Sequence, residues 1–215
     1  MVNRFAFVGD IHGEASRLRA CLADVRVRDC QIIFLGDYVN KGPCSREVVH
    51  LVSRAVSAGH VALMGNHDHA LIAYLEGRLS FVELASMGGA ATIRSYVPQP
   101  YGDVHSQLRS AFPDEHKEFF RRLGTWWQSS GLLASHAGYD PEDRSSRTLE
   151  AMALQSHPGV FYDPEPPADL VVCGHYRQYS RQPYVSERLV CLDTGCGSGG
   201  PLSVFLWPDR SVLQF

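Results

Sequence analysis

Five short stretches carry the side chains of this chain that could do chemistry. FAFVGDIHGE sets Asp10 and His12 two residues apart. QIIFLGDYVNKG brings Asp37, VALMGNHDHA brings Asn66, His67 and Asp68, LLASHAG brings His136, and LVVCGHY brings His175. Each time an apolar run ends, and a carboxylate, amide or imidazole follows. Singly these signals are weak. A Gly-Asp after a strand is commonly a turn, and a lone His in an apolar stretch is commonly a hydrogen-bonded core residue. Five such clusters in one chain are poorly explained by coincidence. Oxygen and imidazole donors without a thiolate suit Mn²⁺ first, with Fe or Zn²⁺ also fitting. There are donors enough for two divalent ions, with Asp37 the natural bridge. Two ions about 3.5–4 Å apart clamp a phosphoryl oxygen and make hydroxide available near neutral pH, so phosphorus is attacked without a protein nucleophile.

These donors need strand ends to hold them. Phe5–Val8, Gln31–Leu35 and Val61–Met64 read as buried strands, with helices over 15–27 and 45–58 between them. That alternation predicts parallel βαβ units with every polar cluster at a strand C-terminus, the edge where open α/β sheets bind ligands. Residues 69–123 read as a helix-rich insert, with helices at 69–75, 81–87, 90–96, 104–111 and 114–123. From Trp126 the pattern turns to β: a hairpin through Ser130-Gly131, a helix at 148–155, and short strands at 170–173, 184–185, 189–192, 202–207 and 211–215. Trp126 and Trp127 read as strand residues, one facing out and one in. His69, His105 and His116 read as surface or helix histidines.

At 215 residues the chain is expected to form one domain, 1–215, including that insert. Twenty basic against twenty-three acidic residues give a net charge of −3, which argues against a broad nucleic-acid surface but leaves room for a nucleotide substrate at a metal. No apolar run reaches the roughly 18 residues of a membrane span. The N-terminus lacks a signal-peptide pattern. Six cysteines without a CxxC pair read as reduced thiols of a cytoplasmic protein.

In order, GDIHG, GDYVNKG, GNHD, HAG and GH resemble the five signatures of the phosphoprotein-phosphatase branch of the calcineurin-like metallophosphoesterases. The resemblance implies an α/β fold, a β-sandwich of mixed sheets flanked by helices. It implies that Asp10, His12 and Asp37 hold one metal, and that Asp37, Asn66, His136 and His175 hold the second. His67 would be the general acid. Gly138 and Gly174 would allow tight turns beside their histidines, and LDTGCGSGG resembles the family's closing segment.

Two departures bear on specificity. Asn40-Lys41 stands where the family usually has Asp-Arg. Asn40 can accept a hydrogen bond from His67 but brings no charge, so the acid's pKa is expected to be less elevated. Lys41 offers phosphate a point charge in place of a planar fork. The protein phosphatases' second phosphate-binding Arg has no counterpart between HAG and GH; Arg144, Arg147 and His157 are the candidates to replace it. GDYVNKGP and GNHDHALIAYLEG resemble the diadenosine-tetraphosphatase-like (ApaH-like) branch, whereas MGGAATIRSY and the short chain resemble compact bacterial serine/threonine phosphatases. The expected function is therefore hydrolysis of phosphomonoesters, phosphoproteins included. Symmetrical hydrolysis of dinucleoside polyphosphates is the alternative, and a non-catalytic metal-binding scaffold is a second.

Overall fold

The computed structural model describes residues 4–215. Its first sheet is built from β1 (Phe5–Val8), β2 (Gln31–Phe34), β3 (Val61–Ala62), β9 (Ser203–Trp207) and β10 (Ser211–Gln214), in the order β10-β9-β1-β2-β3. β1, β2 and β3 are parallel; β9 runs antiparallel to β1, and β10 antiparallel to β9. The second sheet has the order β4-β5-β6-β8-β7, from β4 (Trp126–Ser129), β5 (Leu132–Ser135), β6 (Leu170–Cys173), β7 (Tyr184–Val185) and β8 (Leu189–Cys191). Here β5, β6 and β8 are parallel.

The alternation of side chains along each strand fixes the layers. Phe5, Phe7, Ile33, Leu35 and Phe205 face the second sheet and pack on Leu132, Ala134, Leu170 and Val172. Ala6, Val8, Ile32, Phe34 and Val204 face the helices. Leu133, Val171, Cys173 and Cys191 face outward from the second sheet onto Tyr139, Met152 and Val160. Strands covered on both faces have no polar side to show, hence the unbroken apolar runs in the sequence. Trp127 packs edge-on against Phe5 and Phe7, while Trp126 is exposed, as expected.

The helices are α1 (Ala15–Ala23), α2 (Val25–Arg28), α3 (Ser45–Ser57), α4 (Asn66–Leu75), α5 (Phe81–Ser86), α6 (Gly89–Tyr96), α7 (Val104–Ala111) and α8 (Asp114–Arg121). Three expectations need correction. The helix expected over 15–27 breaks at Asp24, whose carboxylate accepts the Arg26 N–H and starts a new helix. The helix expected at 148–155 is a single π turn at Glu150–Leu154. α4 begins at Asn66 rather than His69, because Asp68 turns back to accept the Gly65 N–H at 3.0 Å and closes the helix start around the site residues. His116 lies on α8 but is buried, with Nδ1 2.8 Å from the Tyr96 hydroxyl. The hairpin forms as expected: Ser130 and Gly131 both have positive φ and join β4 to β5. Among the described residues no helix is long and apolar enough to cross a membrane.

Candidate metal centre

The C-terminal ends of all six parallel strands meet at one edge of the sandwich. Asp10 and His12 follow β1, Asp37 follows β2, Asn66 and His67 follow β3, His136 follows β5, His175 follows β6 and Asp193 follows β8. Two bonds tie the sheets together there. His136 Nδ1 donates to Leu35 O across the interface at 3.0 Å, and the His175 N–H donates to Asp10 Oδ1 at 3.2 Å.

The six expected ligands converge, and Asp37 sits between two subsets of them. Its Oδ2 lies 3.4 Å from His12 Nε2, and its Oδ1 lies 3.6 Å from His136 Nε2. His12 Nε2 is 3.8 Å from Asp10 Oδ2. On the other side Asn66 Oδ1 is 3.0 Å from His136 Nε2 and 3.1 Å from His175 Nδ1. Two groupings have donors mutually within 4.8 Å, His12-Asp37-His67 and Asp10-Asp37-His136, and Asp37 belongs to both.

The donor chemistry fits cations. His12 Nδ1 donates to Val39 O at 2.8 Å and His136 Nδ1 to Leu35 O, which leaves each Nε2 lone pair pointing into the cluster. His175 is held from the other side, its Nε2 2.6 Å from Ser156 Oγ, leaving Nδ1 inward. Metal-ligating imidazoles are commonly fixed by such an outer bond. Burial pushes Asp10 well above the usual carboxylate range, with Asp193 and Asp37 adding repulsion. Asp37 is pushed up by its own burial. Burial lowers His12, His136 and His175, His136 to about 4 and His175 to about 3, so these rings are neutral, the ligating form. Buried carboxylates facing neutral imidazoles call for positive charge. The Lys41 ammonium supplies part of it, with Nζ 2.7 Å from His12 Nε2.

The backbone of the site is strained. His12, Asp37, Asn40, Lys41 and His175 have φ between 47° and 70°, in the left-handed region that side-chain-bearing residues avoid. Three other non-glycine residues share it, Ser130, Arg181 and Arg210. Gly138 does turn with positive φ beside His136, but Gly174 does not. Gly174 is required for a different reason: a Cβ there would collide with Asp10 Oδ1.

His67 stands at the open side of the cluster. Its side chain is 12% exposed, whereas His12 and His136 are sealed. The Asn40 amide nitrogen donates to His67 Nδ1 at 2.9 Å, the reverse of the expected direction. Thr92 is the reason. Its Oγ1 accepts the Asn40 N–H at 2.7 Å and lies 3.0 Å from both Asn40 Oδ1 and Ser45 Oγ; with Ser45 donating to Thr92, the Thr92 proton goes to Asn40 Oδ1 and the NH₂ turns toward His67. With Nδ1 an acceptor, the neutral ring carries its proton on Nε2, 3.8 Å from Asp37 Oδ2. Burial and the nearby Lys41 lower His67 to about 3.

Both arginine candidates for a second phosphate-binding group are engaged, whereas His157 keeps a buried Nε2 without a hydrogen-bond partner among the described residues. Arg144 pairs with Asp163 at 2.6 Å; Arg147 lies over the Trp126 ring and donates to backbone carbonyls; His157 faces Asp140 at 3.6 Å. Sequence reasoning gave no role to three residues that support the site. Asp68 accepts the N–H groups of Asp37, Tyr38 and Gly65, bracing the Asp37 loop. Thr92 orients Asn40 from α6. Asp193, in LDTG, is buried beside Asp10 and accepts the Gly195 N–H. Asp68 and Asp193 were visible as acids inside apolar surroundings, whereas Thr92 gave no local signal. A cavity of about 640 Å³ between α4, α7 and α8 shares no residue with the cluster, so donor convergence, rather than cavity size, marks the site.

Residues 3–179 match the calcineurin-like phosphoesterase family. The chain belongs to that family. It is accordingly a phosphoester hydrolase, which sets aside the scaffold reading. This phosphoesterase is 24% identical to the bis(5'-nucleosyl)-tetraphosphatase PrpE (asymmetrical) of Bacillus velezensis, over 98% of this chain and 91% of that protein. Its fold is similar to that of a metallophosphoesterase from Sphaerobacter thermophilus (TM-score 0.60, 20% identity, 100% of this chain and 87% of that one). It is also similar to the cold-active protein-tyrosine phosphatase of a psychrophilic Shewanella species (TM-score 0.67, 16% identity, 100% and 78%).

Proposed function

We propose that this phosphoesterase hydrolyses the phosphoanhydride chain of dinucleoside tetraphosphates, in preference to the phosphomonoesters of proteins. The observation that carries this reading is the direction of the Asn40–His67 bond. A phosphoserine leaves as an alkoxide and needs a proton, so its hydrolysis gains from an imidazolium acid beside a carboxylate. A nucleotide leaves as a phosphate and does not. A neutral His67 with its proton on Nε2 is suited to the second task, as a hydrogen-bond donor to developing charge. The names of the relatives point the same way, and they favour asymmetrical over symmetrical cleavage.

In this reading Asp10, His12 and Asp37 hold one divalent cation, and Asp37, Asn66, His136 and His175 hold another. Mn²⁺ is the first choice for such donors. Bound there, the ions supply Lewis acidity to phosphoryl oxygens and lower the pKa of water. His67 Nε2–H donates to the oxygen that leaves. Asn40 holds the ring in that tautomer, and Thr92 holds Asn40. Lys41, the one ammonium at the cluster, turns from His12 to a phosphate oxygen. Five buried thiols without a disulfide fit a reducing, cytoplasmic compartment.

The test is Mn²⁺-loaded protein with diadenosine tetraphosphate, products separated by ion exchange. ATP plus AMP is the expected outcome. Two ADP would keep the substrate but reverse the cleavage position, and no turnover alongside hydrolysis of 4-nitrophenyl phosphate would refute the reading.

A further inference from the structure

A tetraphosphate bridge brings several negative charges to this site, and Lys41 meets only one of them directly. The segment just after His175 offers a second cation. Arg177 is exposed and, among the described residues, has no carboxylate within ion-pair distance, in contrast to Arg144. Its guanidinium lies 5.3 Å above the Tyr179 ring. Tyr179 is itself 86% exposed, so the ring stands in solvent with the guanidinium beside it.

The pair is held in place relative to the metal ligands. The Gln178 N–H donates to Asp193 O at 2.7 Å, so the segment 176–179 is pinned to the loop that carries Asp193. The Arg177 side chain lies along that loop at Gly195, where an added Cβ would stand 3.1 Å from Nε. Two residues on, Gly197 backs directly onto His12 and Lys41: a Cβ there would collide with the His12 Cβ and lie 3.0 Å from that of Lys41. A ligand His at one end and a loop in contact with His12 and Lys41 at the other therefore set the position of Arg177.

We propose that Arg177 and Tyr179 form a subsite for the outer part of the substrate: Arg177 takes a phosphate beyond the one that is attacked, and Tyr179 stacks on the nucleobase. An Arg fork matches phosphate oxygens in pairs, and an exposed aromatic ring accepts any base by its face. This assignment rests on the dinucleoside-polyphosphate reading. It also explains how the chain manages without a phosphate-binding Arg between HAG and GH, since the free Arg comes two residues after GH. A surface Arg–Tyr pair serving only local packing would leave substrate choice untouched.

The experiment compares kcat/KM for diadenosine tetraphosphate with kcat/KM for 4-nitrophenyl phosphate, which has neither outer phosphate nor base. In Arg177→Ala the ratio of the two is expected to fall about tenfold, through KM rather than kcat, with partial recovery in Arg177→Lys. In Tyr179→Ala it is expected to fall about fivefold, and to be kept in Tyr179→Phe. If the wild type cleaves the tetraphosphate and the alanine variants keep its ratio, the subsite is wrong and the substrate reading stands. If the wild type cleaves only the small ester, the substrate reading fails and takes the subsite with it.

Discussion

In the proposed mechanism, Asn40 and His67 decide what the site does with a leaving group. Thr92 has one hydroxyl proton: with Ser45 Oγ donating to Thr92, that proton goes to Asn40 Oδ1 and the amide N–H faces His67 Nδ1. A carboxylate in place of the amide would reverse this. It would accept from Nδ1–H, stabilise imidazolium and raise the His67 pKa. Asn40→Asp is therefore expected to raise kcat/KM for a phosphoserine peptide relative to diadenosine tetraphosphate by about tenfold, the equivalent of one pKa unit. Competition between the two substrates measures it, and an unchanged ratio would remove Asn40 from the control of His67. The same residues are costly to hold. A left-handed φ at a non-glycine residue costs on the order of 1–3 kcal/mol, and five site residues have one. The packed strand ends beneath them must sustain that strain. Asn, Asp and His are enriched among non-glycine residues in this region, but nothing in the sequence marks which of them adopt it.

The elements explain which parts of the site were legible in the sequence. Each parallel strand is buried on both faces, so it appears as an apolar run, and the run's end is where its ligand sits. Asp10, His12, Asp37, Asn66, His136 and His175 were legible as candidates from that rule and from their resemblance to family signatures, and the structure brings them to one sheet edge. What supports them did not. Thr92 reaches Asn40 from α6, fifty-two residues away in sequence, and Asp68 acts through three backbone N–H groups that any sequence possesses. Asn66 and His67 also looked like loop residues, and they sit in the first turn of α4 because Asp68 closes the turn back on Gly65. Gly174 looked like a turn residue and is a close approach. A methyl group at this position presses on Asp10, so Gly174→Ala is expected to weaken metal binding about 10–100-fold, the usual cost of disturbing the support of a ligand. Metal analysis after gel filtration should show fewer than two ions per chain; two retained ions would mean that the strand end shifts without loss.

The whole molecule is a device for aligning two sheet edges. The candidate ligands follow three strands of the first sheet and two of the second, and the interface core of Phe7, Ile33, Leu35, Leu132 and Val172 fixes their relative position. The cross-sheet bonds of His136 and His175 lie at the site itself, so the donors of both cation positions are set by one packing arrangement. The helices α4 to α8 stand on the first sheet's side, and α6 supplies Thr92 from there. With a net charge of −3, the surface gives a highly anionic substrate no general attraction. For the proposed substrate, affinity is expected from the metals, Lys41 and the few cations at the rim.

The most direct test of the account is a single competition. Mn²⁺-loaded protein is given diadenosine tetraphosphate and a phosphoserine peptide together, and the two initial rates are read from the same samples. The tetraphosphate is expected to be consumed at least about tenfold faster per unit concentration, as a neutral His67 requires. Faster release of phosphate from the peptide would contradict it, and would mean that the Asn40–His67 pair supplies a proton after all.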